Sequence, residues 1–300
     1  MTNRHTEVRP AVEAAVTEYR EQGLSRRAFL GKLIAATGSM AAAHLLLEKS
    51  GLAATLVSDT ESKRANVASK SITYPGGSEK PVSGYLSMPE GKGPFPAVIV
   101  IHENRGLNEH TRDVARRFAA EGFVALAPDL LSRQGGTDKM ESPDAARTAI
   151  MAMDPADAIA DLEAGLKYLA SQPNVDADQL GSVGFCWGGA RSFTLATASK
   201  LLHACVVFYG STPPLETLDK VHCPVLGLYG GTDERITSKV PETAEAMKKA
   251  GKDFTYHVYE GAGHAFFNDT GPNYNPEAAK DAWTRTLAFL RKTLDVNGAP

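Results

Sequence analysis

Three residues of this 300-residue chain have types and an order that could perform nucleophilic chemistry: Cys186, Asp233 and His264. Cys186 lies at the centre of Gly184-Phe185-Cys186-Trp187-Gly188-Gly189. A short apolar run precedes it and a helix-like segment, Ala190 to Ala198, follows. Strand, tight turn and helix, with small residues two positions to either side of a nucleophile, is the nucleophile-elbow pattern. A Cβ on either flank would collide with the adjoining backbone. A thiol has an ordinary pKa of about 8.5 and is activated by a nearby base or a helix N-terminus. The backbone N–H of Trp187, at the helix start, would face an oxyanion. The plain alternative is a buried Cys in a glycine-rich turn.

An elbow requires an acid and a histidine further along, on loops after later strands. The apolar run from Pro224 to Tyr229 leads through Gly230-Gly231-Thr232 to Asp233, at a strand's carboxyl end, where open α/β sheets place their sites. Phe254 to Glu260 leads to Gly261-Ala262-Gly263-His264. Of the eight histidines, His264 is the one that follows a strand pattern on a small loop. His264 would take the thiol proton and return it to a leaving group, with Asp233 orienting the imidazole. Asp129 also ends a strand pattern but precedes the nucleophile, and is expected to cap a loop.

The elements that must position these residues alternate strand with helix. Ser71 to Leu86 reads as a hairpin around Pro75-Gly76-Gly77. Phe95–His102, Gly122–Pro128, Gly181–Phe185, Cys205–Tyr209 and Val225–Tyr229 are near-continuous apolar runs, as in strands buried on both faces. Helical spacing covers Asn108–Glu121, Asp154–Ser171, Val240–Ala250 and Asp281–Leu294. The expected fold is α/β, a mostly parallel sheet with helices on both faces, in one domain over 69–300.

Composition narrows the function classes. The net charge of −3 gives no basic field for nucleic acid, and the 43% hydrophobic content is that of a globular chain. Cys186, Cys205 and Cys223 form neither a CxxC pair nor a disulfide framework; the latter two adjoin apolar runs. His102-Glu103 lacks the second histidine of a zinc-protease motif. Gly181-Ser182-Val183-Gly184 is no dinucleotide fingerprint.

Residues 1–68 differ from the rest. Ser25-Arg26-Arg27-Ala28-Phe29-Leu30-Gly31-Lys32 followed by a mildly apolar run from Leu33 to Leu47 resembles a twin-arginine export signal. The run is too short and too polar for a membrane span. The expectation is engagement of the twin-arginine machinery and a periplasmic location, with the segment retained as an anchor if uncleaved. The alternative is an amphipathic surface helix on a cytoplasmic protein.

From about Ser69 to Leu294 the chain resembles the dienelactone hydrolases, a cysteine-nucleophile branch of the α/β-hydrolase fold. The matching pieces are the elbow, Gly231-Thr232-Asp233, Gly261-Ala262-Gly263-His264, Pro128-Asp129-Leu130 with Arg133, and the stretch from His102 to Asn108. The resemblance implies hydrolysis of a small ester or lactone through an acyl-thioester, without metal or organic cofactor. It implies that Glu103 contacts the resting thiol and helps to deprotonate it, and that Asn104 N–H is the second oxyanion donor. The alternative for Glu103 is an ion pair with Arg105 or Arg112. One family arginine that holds a substrate carboxylate matches Arg133, whereas the other falls at Asn268; Arg105 is the candidate replacement. A broad carboxylesterase or thioesterase, or a catalytically silent binding protein of the same fold, are the other readings.

Overall fold

The computed structural model describes residues 67–294, Glu79 excepted, together with Lys32, Ala36 and Val296. The chain divides into Met1–Asp59 and Thr60–Pro300, and every element below belongs to the second unit. Arg26, Arg27 and the export segment expected around them lie outside the described residues.

The strands are β1 (Val67–Pro75), β2 (Pro81–Pro89), β3 (Phe95–Ile101), β4 (Val124–Pro128), β5 (Val175–Phe185), β6 (Ala204–Phe208), β7 (Val225–Gly230) and β8 (Phe254–Tyr259). The helices are α1 (Glu109–Ala120), α2 (Pro143–Met151), α3 (Pro155–Ala170), α4 (Trp187–Ala198), α5 (Glu234–Thr237), α6 (Val240–Lys249) and α7 (Pro276–Thr293). They build one eight-stranded sheet in the order β1-β2-β4-β3-β5-β6-β7-β8. The β1–β2 hairpin joins antiparallel at one edge, and every pairing from β4 to β8 is parallel.

The apolar runs are continuous because both faces of the central strands are covered. Val98 and Val100 of β3 pack in one core with Val114 and Phe118 of α1 and Leu287 and Leu290 of α7. The alternate residues Ala97, Ile99 and Ile101 pack in the other with Leu162 and Leu166 of α3, Phe193 of α4 and Met247 of α6. Ala97 to Ile101 are fully buried. At about 25 cal/mol per Å² of apolar surface, this double burial is what fixes the register of the sheet and thereby the positions of its carboxyl ends.

Local chemistry sets the helix starts. Asn108 caps α1 by accepting from Thr111 N, and Ser142, Asp154 and Asn275 do the same for α2, α3 and α7, each with proline in the first turn. Several elements differ from the sequence expectation: β5 begins at Val175 rather than Gly181, and α2 and the short α5 were not expected. Helix α2 had no strong apolar period, since it buries only Ala146 and Ile150. Helix α7 begins five residues before Asp281, because its first turns bury small alanines, Ala278, Ala279 and Ala282, that give little periodic signal.

Candidate active site

The elbow between β5 and α4 holds Cys186 at φ 56°, ψ −116°, a conformation that costs a non-glycine residue roughly 1–3 kcal/mol. Its neighbours explain how it is imposed. A Cβ on Gly184 would lie 2.0 Å from Gly188 O, and one on Gly188 would lie 2.3 Å from His102 O. Helix α4 therefore starts in backbone contact with both its own strand and the end of β3. Cys186 N–H donates to Phe208 O at 3.0 Å, which ties the turn to β6 as well.

Two further loops converge on the thiol. After β7, Gly231 N–H donates to Tyr259 O at 2.8 Å, and Thr232 N–H and hydroxyl both donate to Ala262 O at 3.0 Å. A Cβ on Gly230 would strike Gly263 O at 2.5 Å. The acid loop and the histidine loop thus grip each other through backbone that only glycine allows to approach. Asp233 is buried, whereas His264 keeps a quarter of its side chain exposed. His264 Nδ1–H donates to Asp233 Oδ2 at 2.5 Å, which leaves the Nε2 lone pair for the thiol of Cys186, 3.0 Å away.

Burial, followed by the charge of Glu103, pushes the Cys186 thiol up to about 11, while the Trp187 N–H and the Arg235 charge pull the other way. The resting group is thus a neutral thiol within hydrogen-bond reach of His264 Nε2. Neither Trp187 N–H nor Asn104 N–H pairs with a backbone carbonyl among the described residues.

The structure brings Glu103 to this site but not into an ion pair. Its Oε1 accepts from Tyr209 Oη–H at 3.2 Å and its Oε2 from Asn268 Nδ2–H at 2.9 Å. Arg112 pairs instead with Asp138 at 3.2 Å. Arg105 is exposed and, among the described residues, without a carboxylate partner. Asn268 is buried and doubly fixed, since its Oδ1 accepts from Thr270 N–H and hydroxyl. It serves the Glu103 carboxylate rather than an open pocket.

Arg133 is a clear departure from the sequence expectation. Its Nε and Nη2 form a fork on Asp161 at 2.8 and 2.9 Å, and Nη1 meets Asp157 at 3.0 Å. Its guanidinium clamps the loop after β4 to α3 and is not offered to a ligand. Asp129 caps that loop as expected, accepting from Leu131 N–H, Thr137 N–H and the Thr137 hydroxyl.

Two site residues escaped the sequence reading. Tyr209, fully buried at φ 39°, follows β6, holds Glu103 and packs its ring 5.2 Å from that of His264. The available signal was an aromatic before glycine at a strand's carboxyl end. His102, also fully buried, donates from Nδ1 to Glu103 O at 2.6 Å, accepts at Nε2 from Leu130 N–H at 3.3 Å, and stacks on Trp187.

A parallel-rich sheet with a nucleophile elbow after β5, an acid after β7 and a histidine after β8 defines the α/β-hydrolase class. Residues 82–294 match the family described as the dienelactone hydrolase family, and the chain belongs to it. A protein of Saccharolobus solfataricus with the provisional name carboxymethylenebutenolidase is 36% identical over 74% of this chain and 98% of its own length. One of Methylorubrum extorquens with the same provisional name is 34% identical over 70% of this chain and 77% of its own. Among solved structures, a provisionally assigned dienelactone hydrolase from Klebsiella pneumoniae superposes with a TM-score of 0.70 at 32% identity, covering 75% of this chain and 99% of that one. P91, a dienelactone hydrolase-like promiscuous phosphotriesterase from metagenomic libraries, superposes at 0.66 with 26% identity, covering 76% and 99%.

Proposed function

We propose that this protein hydrolyses a small carboxylic ester or lactone through an acyl-thioester on Cys186. The carrying observation is the hydrogen-bonded chain Cys186 Sγ, His264, Asp233 at the carboxyl ends of β5, β8 and β7. Sγ attacks the carbonyl carbon while its proton moves to His264 Nε2, and the carbonyl π pair becomes an oxyanion facing Trp187 N–H and Asn104 N–H. The tetrahedral species collapses; the C–O bond breaks and the leaving oxygen takes the proton from Nε2. Water then attacks the thioester with His264 as base and releases the carboxylic acid. A lactone yields a hydroxy acid in the same two steps.

Asp233 holds the imidazole in the tautomer this sequence needs, which accounts for its burial beside Nδ1. The test is a panel of p-nitrophenyl esters, small lactones, thioesters and, in view of P91, a phosphotriester, with intact protein and Cys186→Ala in parallel. Turnover that vanishes in Cys186→Ala, with an acyl adduct on Cys186 by mass spectrometry, supports the reading. Equal turnover in the two proteins overturns it.

The export segment belongs to the same proposal. Arg26-Arg27 before Phe29-Leu30 supports delivery of the folded protein to the periplasm, where a free thiol enclosed in a finished site is protected from oxidative pairing. A reporter fused behind residues 1 to 60 should be exported only with both arginines intact. Normal export of the Arg26→Lys, Arg27→Lys double variant overturns this part.

A further inference from the structure

We propose that His102 is the positioning residue of the oxyanion hole, gripping the Glu103–Asn104 peptide so that its N–H faces the reacting carbonyl. The inference rests on the hydrolytic reading above and assigns a role to a side chain which that mechanism leaves unused.

A trans peptide unit is planar, and its C=O and N–H point in opposite directions. The carbonyl of Glu103 and the N–H of Asn104 belong to one such unit. Whatever holds Glu103 O therefore aims Asn104 N–H, and His102 Nδ1 holds it at 2.6 Å. The ring itself cannot drift. Leu130 N–H, from the loop after β4, donates to Nε2 at 3.3 Å, so both ring nitrogens are engaged. The two bonds together admit one neutral tautomer, with the proton on Nδ1. Full burial acts in the same direction, holding the imidazole below its ordinary pKa.

The same ring also reaches the other donor. It lies against the Trp187 indole, with centroids 5.8 Å apart and planes within 9° of parallel. Trp187 carries the N–H at the start of α4, and Gly188 brings that helix start into backbone contact with Ile101 O and His102 O. One imidazole is thus hydrogen-bonded to the peptide of one donor and stacked on the residue of the other. Donors that face a developing charge contribute through being fixed before the reaction, and loss of one costs roughly 10²–10³ in kcat. A residue that aims a donor acts on kcat, with little effect on ground-state binding.

Two substitutions separate the two ring nitrogens. The amide nitrogen of Asn sits as many bonds from Cβ as Nδ1 does, and the amide oxygen of Gln sits as many as Nε2 does. His102→Asn can keep the bond to Glu103 O while losing the one to Leu130. His102→Gln does the reverse. The expected result is a fall in kcat of roughly tenfold to hundredfold for His102→Gln with KM within about twofold, and a fall of no more than severalfold for His102→Asn. Equal losses in the two variants, or losses confined to KM, overturn the proposal.

Two further measurements do not depend on finding the best substrate. In intact protein, the ¹⁵N spectrum of His102 should show a protonated Nδ1 and an imine Nε2; the opposite tautomer overturns the proposal. Phenyl trifluoromethyl ketone forms a hemithioketal with Cys186, in which the carbonyl oxygen becomes the oxyanion; ¹⁹F NMR counts the adduct. Its affinity should fall in His102→Gln in proportion to kcat/KM. An adduct in the intact protein that is undiminished in His102→Gln sinks the role of His102 alone. No adduct in the intact protein sinks the reading of Cys186 and the inference with it.

Discussion

Replacing Glu103 by Gln separates two roles for its carboxylate. The resemblance to the family implies a proton acceptor for the thiol, whereas here burial and, after it, the charge of Glu103 push the thiol pKa up. Gln can occupy the site in one orientation: its oxygen toward Asn268 Nδ2, its amide N–H toward the Tyr209 hydroxyl, which can accept. Asn268 has no freedom to turn over, because Thr270 engages its Oδ1 twice. The exchange converts two charge-assisted hydrogen bonds to neutral ones, a loss of about 1 kcal/mol of stability. Its electrostatic effect on Cys186 is larger. With the thiol near 11, about one molecule in 10⁴ carries thiolate at pH 7. A unit charge close by, at an effective dielectric of about 20, is worth roughly 1.4–3 kcal/mol, or about one to two pKa units. The thiolate population then rises about 10- to 100-fold, offset by the lower nucleophilicity of a weaker base. Alkylation of Cys186 by iodoacetamide at pH 7, followed by peptide mass spectrometry, should accelerate about 3- to 10-fold. Its pH profile should shift to lower pH, since less hydroxide is needed to reach half-deprotonation. Cys205 and Cys223 are buried and should stay unmodified in both proteins. Unchanged or slower alkylation of Cys186 in the Gln variant refutes the electrostatic argument and returns Glu103 to the role of base.

Asp233→Asn should lower kcat by about 10³–10⁴ with an unchanged circular dichroism spectrum, because Asn favours the wrong imidazole tautomer. Asp129→Asn should lower the melting temperature through the Leu131 and Thr137 contacts and leave kcat of the folded protein nearly intact; the reverse pattern would exchange the two assignments. Arg133→Ala should cost about 3 kcal/mol in urea unfolding, since it strands the buried Asp161 carboxylate, with KM little altered. A neutral ester and its carboxylate-bearing analogue should differ by no more than about tenfold in kcat/KM, because Arg133 and Asn268 are both engaged elsewhere. A preference of several hundredfold for the anion, abolished in Arg105→Ala, would identify Arg105 as the carboxylate ligand.

The sheet was legible because strands buried on both faces leave an unmistakable mark, as in Ala97 to Ile101 and Val225 to Tyr229. The order Cys186, Asp233, His264 was legible because each follows a strand pattern, although β8, before His264, is an edge strand with Thr255 and Tyr256 exposed. What could not be read were contacts between distant segments. Arg133 looked available because nothing local announces Asp161, which is 28 residues away on α3. Asn268 read as the absence of an arginine, whereas in space it is a ligand of Glu103, 165 residues earlier. Tyr209 passed as the last residue of an apolar run, and its left-handed backbone has no sequence mark of the kind glycine provides. His102 was noticed as the start of a failed metal motif and of the stretch shared with the family, without a role of its own. The sequence carried the types of these residues, but only the packed loops disclosed their partners.

The elbow is held entirely by main chain: Gly184 against Gly188, Gly188 against the end of β3, Cys186 N–H on Phe208 O. No part of that clamp touches sulfur. The scaffold therefore dictates where the atom beyond Cβ of residue 186 stands and is indifferent to which element it is. Sulfur and oxygen are interchangeable occupants of one address, and Cys186→Ser should leave the backbone of the turn as it stands.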